Sequence, residues 1–223
     1  MKALIAATLA AGALAAPAAF AETITGSGTP LTQERSVSGF HGLAVAVPGQ
    51  LEIVQGNAEK LTITGDDNVV PQIETVVEGG ALRIRFRDRK NLSVILKAPL
   101  RMVLSVKALD AIAVAGSGDV QAPALSSTHL RLSIAGSGNV VLGGKGESLA
   151  VDIAGSGGLK AQRFEAQSAK VDIAGSGGAT VWARGKLTAS IAGSGDVRYY
   201  GDPTVTRSIA GSGSVQRLGA APG

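Results

Sequence analysis

From Ile112 onward the apolar positions of this chain fall in a pattern that returns six times. Each copy has an aliphatic or small residue, an outward slot, a β-branched residue, Ala-Gly-Ser-Gly, one variable residue and a further aliphatic. The alanines that open the Ala-Gly-Ser-Gly units stand at 115, 135, 154, 174, 192 and 210, which gives spacings of 20, 19, 20, 18 and 18 residues. A fixed period near 19 predicts a solenoid, in which no repeat buries its own apolar face and each stacks on its neighbours to do so. Glycine twice per copy, with Val or Ile at alternate positions, excludes a helical hairpin and fits short strands joined by tight turns. The expected class is all-β, a β-solenoid with rungs of about 18–20 residues.

Aligning the copies assigns the positions. Val114, Ile134, Ile153, Ile173, Ile191 and Ile209 precede the Ala-Gly-Ser-Gly units, and their shared β-branched shape predicts an interior ladder. Two residues earlier stand Ile112, Leu132, Val151, Val171, Ala189 and Arg207, a second inward ladder that Arg207 breaks at the end. Between the two lie Ala113, Ser133, Asp152, Asp172, Ser190 and Ser208, which are expected to face outward. After the turn, Val120, Val140, Leu159, Ala179, Val197 and Val215 return to the interior. The slot after Gly-Ser-Gly holds Asp119, Asn139, Gly158, Gly178, Asp196 or Ser214, types that tolerate left-handed backbone or satisfy it locally, so this slot reads as the corner. Ser117, Ser137, Ser156, Ser176, Ser194 and Ser212 are expected to hydrogen-bond along the stack, across about 24 Å if rungs repeat every ~4.8 Å.

Upstream the period is weaker. Ile24-Thr25-Gly26-Ser27-Gly28 is a partial echo of the repeat and predicts an opening strand. Leu43, Val45 and Val47 alternate, Pro48-Gly49 turns, and Leu51-Glu52-Ile53 alternates again. Leu61 to Val69 has two inward aliphatics and a glycine-acidic turn, which predicts an early, degenerate rung. Val76 to Arg87 predicts a hairpin about Glu78-Gly79-Gly80. On its second arm Leu82, Ile84 and Phe86 point one way, and Arg83, Arg85 and Arg87 point the other, toward solvent. Leu92 to Leu96 and Met102 to Val106 add two aliphatic segments.

Composition narrows the function classes. Hydrophobic residues are 45% of the chain and aromatics 3%, so thin layers of Val, Ile, Leu and Ala must fill the interior. The absence of cysteine excludes disulfides, thiolate metal sites and a cysteine nucleophile. Residues 1–21 read as a signal peptide, with Lys2, the apolar run Ala3 to Ala16 and Ala19-Phe20-Ala21 as the cleavage pattern, which predicts export to the periplasm or cell surface. No later stretch is long and apolar enough to span a bilayer. A net charge of +4 does not by itself point to nucleic acid.

The Ile-Ala-Gly-Ser-Gly units, Ser38-Gly39-Phe40, Gly65-Asp66-Asp67-Asn68, and Ile73-Glu74-Thr75 with Glu78-Gly79-Gly80-Ala81-Leu82 together resemble the bacterial "putative auto-transporter adhesin, head GIN domain" family, over about Glu22 to Leu218. The resemblance implies an exported single domain of stacked rungs similar to a right-handed β-helix, adhesin-like, with no enzymatic activity or functional residue to transfer. The expected organisation is a signal peptide at 1–21, one domain at 22–218 and a tail at 219–223; within the domain, 22–110 hold less regular rungs and 111–218 the six repeats.

Candidate chemistry is sparse. Gly-Ser-Gly-Asp at 116–119 and 193–196 is like calcium-binding glycine-rich rolls, but those need a nine-residue period. Asp152 and Asp172 fall on equivalent outward positions about 5 Å apart, a separation that suits a retaining glycosidase, without an aromatic platform for sugar beside them; Trp182, Tyr199 and Tyr200 are the candidates. His41 and His129 each lack a second ligand at metal spacing, and the repeat serines lack a nucleophile elbow. No catalytic, cofactor or metal residue is assigned. The functional patch expected is Arg83, Arg85, Arg87, Arg89 and Lys90, a basic strand suited to anionic polysaccharide, lipid phosphate or another envelope polyanion. A non-enzymatic envelope-binding protein is the leading expectation; a polysaccharide-active enzyme using Asp152 and Asp172, or a lipid or amphiphile binder, are the alternatives.

Overall fold

The computed structural model describes residues 22–87 and 92–220. Strands make up 73% of the chain, and one 3-10 turn occurs among the described residues, at Val70–Gln72. In chain order the strands are β1 (Glu22–Thr25), β2 (Pro30–Ser36), β3 (Gly42–Ala46), β4 (Gln50–Gln55), β5 (Lys60–Asp66), β6 (Ile73–Glu78), β7 (Ala81–Phe86), β8 (Leu92–Ile95) and β9 (Arg101–Val106). The repeats supply β10 (Ala111–Gly116), β11 (Asp119–Ser126), β12 (His129–Gly136), β13 (Asn139–Gly155), β14 (Gly158–Gly175), β15 (Gly178–Gly193), β16 (Asp196–Tyr200), β17 (Thr204–Gly211) and β18 (Ser214–Gly219). From β10 onward they wind as a β-solenoid of about five turns.

Two parallel walls enclose the core. The first runs β7, β3, β10, β12, the later halves of β13, β14 and β15, then β17. The second runs β9, β4, β11, the earlier halves of β13, β14 and β15, then β16 and β18. Both ladders expected from the alignment form in register: Ile112, Leu132, Val151, Val171 and Ala189 beside Val114, Ile134, Ile153, Ile173 and Ile191, none more than 3% exposed. At about 25 cal/mol per Å² of apolar area removed from water, such columns are the main stabilising term of the stack. They end at β17, where Ile209 is exposed and Arg207 stands in register with Ala189.

The left-handed corner residue lies three positions before the slot to which the alignment assigns it. The first glycine of each unit, not the slot after the second, takes the left-handed backbone, with φ of 90° at Gly116 and 118–132° at Gly136, Gly155, Gly175, Gly193 and Gly211. That conformation turns its carbonyl along the stack toward N–H groups of the next rung, two of them at Gly116, Gly136, Gly155 and Gly193 and one at Gly175. Gly136 O, for example, receives Ser156 N and Gly157 N, both at 2.9 Å. The serine ladder is therefore a backbone ladder, and the hydroxyls are exposed to solvent. The variable slot has a different use: Asp119 Oδ1 accepts Asn139 N at 2.9 Å and Asn139 Nδ2 at 3.1 Å, and Asp196 Oδ1 accepts Ser214 N at 3.1 Å and Ser214 Oγ at 2.6 Å.

The first half departs further from a simple succession of rungs. β3 and β4 lie between β7 and β9 on one side and β10 and β11 on the other, so chain order and stack order differ. Leu61 to Val69 is not a degenerate rung. Its strand, β5, runs antiparallel to both β9 and β2, and β6 runs antiparallel to β7, so these strands cover the edge of the first layer. The loop after β1 is pinned to this lid. Buried Asp66 accepts N–H groups of Gly28 at 2.7 Å, Lys97 at 3.0 Å and Ala98 at 3.1 Å, and Asn68 bridges Ser27 N and Thr25 O. Gly26-Ser27-Gly28 thus echoes the repeat in sequence while serving as a clasp; a Cβ at Gly26 would collide with the Asp66 carboxylate.

Candidate functional site

The expected basic strand is β7. Its inward residues Leu82 and Ile84 are fully buried, which turns Arg83 and Arg85 outward as alternation requires. Antiparallel pairing with β6 then brings acids against them. Arg83 Nε lies 3.1 Å from Glu78 Oε2, Arg85 Nε donates to Glu74 Oε2 at 2.7 Å, and Arg85 Nη2 lies 3.5 Å from Glu78 Oε1. The hydrogen bond to Glu74 raises the Arg85 guanidinium above its ordinary value, and that side chain is only 22% exposed. Arg89 and Lys90 lie outside the described residues.

Arg87 sits differently. With Arg35 of β2 it lines a cleft of about 540 Å³ that also includes Gln33, Thr75 and Glu74. The Arg35 guanidinium is held by Ile73 O at 2.5 Å, Val70 O at 3.0 Å, Gln33 Oε1 at 3.2 Å and Thr75 Oγ1 at 3.3 Å. Burial, and then the neighbouring charge of Arg87, lower its proton affinity below the usual guanidinium value. Two like charges thus share one cleft, with the Glu74 carboxylate also in its lining.

Asp152 and Asp172 are register partners on the outward side of the first wall, as the repeat predicts. Lys170 Nζ, however, is 2.6 Å from Asp172 Oδ2, and its hydrogen bond to that carboxylate raises the Lys170 ammonium above its ordinary value. The carboxylates form part of a mixed surface row rather than an isolated acid pair. Trp182 and Tyr200 project from the second wall, away from them. His41 does gain a carboxylate, with Asp110 Oδ1 3.1 Å from its Nδ1, a contact across 69 residues of sequence. His129 Nδ1 lies 2.9 Å from Ser148 Oγ in a cleft of about 640 Å³ that includes Asp110 and Arg131. Asp110 engages His41 rather than His129, so serine, base and orienting acid are not joined in series. No group of three or more His, Asp or Glu suited to a metal occurs among the described residues.

Residues 39–203 match the model of the family described as "Putative auto-transporter adhesin, head GIN domain". The chain belongs to this family. Three solved structures resemble the head GIN chain. A "putative adhesin" from Bacteroides fragilis NCTC 9343 superposes with a TM-score of 0.70 at 23% identity, covering 87% of this chain and 100% of that one. A "putative lipid binding protein" from Parabacteroides distasonis ATCC 8503 gives 0.54 at 27% identity over 88% of this chain and 100% of that one. A "putative adhesin" from Parabacteroides merdae ATCC 43184 gives 0.55 at 20% identity over 89% and 100%. Among curated proteins none is detectably similar. In this head GIN chain the acid partners of the basic strand are readable in retrospect: a Gly79-Gly80 turn sets Glu78 opposite Ala81 and Glu74 opposite Arg85. The cleft shared by Arg35 and Arg87 and the His41–Asp110 contact join residues far apart in sequence and leave no such local signal.

Proposed function

We propose that this head GIN chain is an exported, non-enzymatic binding protein of the bacterial envelope, acting through side chains on the outer surfaces of its two walls. The observation that carries this reading is the division of labour along each rung. Aliphatic ladders and glycine corners are committed to stacking, and chemically distinctive side chains are left on flat outward faces of a rigid frame. Family membership and relatives described as adhesins agree with it. An anionic envelope component is the ligand favoured for the basic strand, with Arg87 beside Arg35 as its strongest point, since Arg83 and Arg85 already meet Glu74 and Glu78. Export by residues 1–21 belongs to the same proposal.

The test is retention of the purified chain on immobilised envelope fractions across a salt series. The reading expects retention at low salt that falls as salt rises, and Arg87→Ala is expected to weaken it about three- to tenfold by removing one charge-assisted contact. Absence of retention at every salt concentration contradicts it. A second reading, lipid or amphiphile binding, has two observations in its favour. Val54, Val103 and Val141 are exposed on the second wall, and one structural relative is described as a lipid-binding protein. Native mass spectrometry of the purified chain decides it by the presence or absence of a bound amphiphile.

A further inference from the structure

Aromatic side chains are scarce in this chain, with one Trp, two Tyr and four Phe. Phe40 and Phe164 are buried, and Phe86 packs against the core. The single Trp and both Tyr, by contrast, fall on adjacent strands at one place on the second wall, where Val181 pairs with Tyr199 and Trp182 with Tyr200. Val181 and Ala183 are fully buried, so Trp182 between them faces outward; Tyr199 packs on the core, so Tyr200 faces outward beside Trp182. Both rings are half-buried, and Gly201 lies against the indole, where an added Cβ would come within 3.5 Å of Cδ1. Adjacent strands set the two aromatic residues about 4.8 Å apart. Folding does not require them there, because outward positions elsewhere on this wall are filled by Gln121, Lys160 and Thr180.

Two further rows run alongside. One step nearer the corner, about 6.7 Å away along the strands, the outward residues in register are Lys160, Thr180 and Arg198. Lys160 and Arg198 enter no ion pair among the described residues, whereas Arg184 is taken by Glu165 and Arg217 lies near Asp202. Beyond them is the variable slot after each Gly-Ser-Gly. There Gly158 and Gly178 lack side chains between Asn139 and Asp196, which leaves a hollow of about 230 Å³. Aromatic faces, unpaired cations and a hollow rimmed by amide and carboxylate therefore lie in parallel rows across successive rungs.

We propose that this face of the second wall is a binding surface for an anionic polysaccharide chain. Trp182 and Tyr200 meet the C–H faces of sugar rings, Lys160 and Arg198 neutralise the acid groups, and Asn139 and Asp196 take hydroxyls in the hollow. Trp, Tyr and Arg together are the composition of binding hot spots, and free cations select an acidic glycan over a neutral one. The inference deepens the envelope-binding reading and rests on it, but uses a surface separate from the Arg strand.

The single Trp makes the test direct, since intrinsic emission reports this surface alone. Titrating the full chain with polygalacturonate should shift Trp emission to the blue and be reversed by salt. The Lys160→Glu, Arg198→Glu variant, with unchanged circular dichroism, should bind about tenfold more weakly or worse, and Trp182→Ala with Tyr200→Ala should lose retention in affinity electrophoresis against the same polymer. Equal emission change with a neutral glucan, or with anionic phospholipid vesicles, overturns the assignment. Full retention of the Trp182→Ala, Tyr200→Ala variant on polygalacturonate places binding elsewhere, overturning this surface but not the envelope reading. Loss of all retention on envelopes and polysaccharides by the parent overturns both.

Discussion

The two glycines of each repeat are needed for different reasons. The first adopts positive φ and offers its carbonyl to N–H groups of the next rung. The second has ordinary backbone but no space: a Cβ at Gly157 would lie 2.5 Å from Gly138 O and 2.6 Å from Ile134 Cγ2. Gly157→Ala is therefore expected to destabilise the fold by about 1–3 kcal/mol, seen as a Tm several degrees lower, whereas Ser156→Ala beside it should be nearly silent because that hydroxyl is exposed. Asp66 makes a second residue-scale prediction. Burial pushes its carboxyl up, but the N–H groups of Ala98, Gly28 and Lys97, with the Lys97 charge, outweigh burial and hold it below the usual carboxylate range. A carboxyl lowered on folding contributes stability above its unfolded pKa, and that stability is lost as pH falls through its folded value. Thermal unfolding from neutral to acid pH should show this loss in the parent, and Asp66→Asn should have a lower Tm at neutral pH with the difference narrowing in acid.

At the scale of elements, β17 is an open edge of the stack. Its outer edge has no partner among the described residues, and Ile209 is exposed. Arg207 stands at the inward position that Ala189 fills one rung earlier, and an inward-pointing charge is a known deterrent to edge-to-edge pairing. Arg207→Val should extend the apolar column to the open end and produce concentration-dependent association in sedimentation velocity; a variant that stays monomeric at high concentration contradicts that role. The inward pairings are legible in the sequence because one repeat equals one circuit, so aligning Ile134 with Ile153 also aligns their strands. The direction of β5 is not, because Leu61 and Ile63 alternate identically whether a neighbour runs parallel or antiparallel. The corner was misplaced by three residues because Gly, Asn and Asp suggest left-handed backbone as well as they suggest side-chain capping, and at Asp119 and Asp196 capping wins. Of the candidate site, Arg83 and Arg85 are found on the strand the alternation gives them, and their acid partners come from pairing across the hairpin.

For the whole molecule, the lid and the open end differ in kind. Antiparallel β2, β5 and β6 close one end, β17 and β18 finish the other, and the walls between them present two long faces. Such a frame holds side chains at fixed spacing along its outward faces, which suits recognition of an extended partner. The alternative, hydrolysis at Asp152 and Asp172, needs two carboxylates free to meet a substrate, whereas Asp172 Oδ2 is engaged by Lys170 Nζ at 2.6 Å. One measurement separates these directly: incubate the purified chain with a panel of anionic and neutral polysaccharides, and follow both retention on each polymer and release of new reducing ends. Binding without catalysis predicts salt-sensitive retention on acidic polymers and no new reducing ends. Release of product that disappears in Asp152→Asn would contradict it.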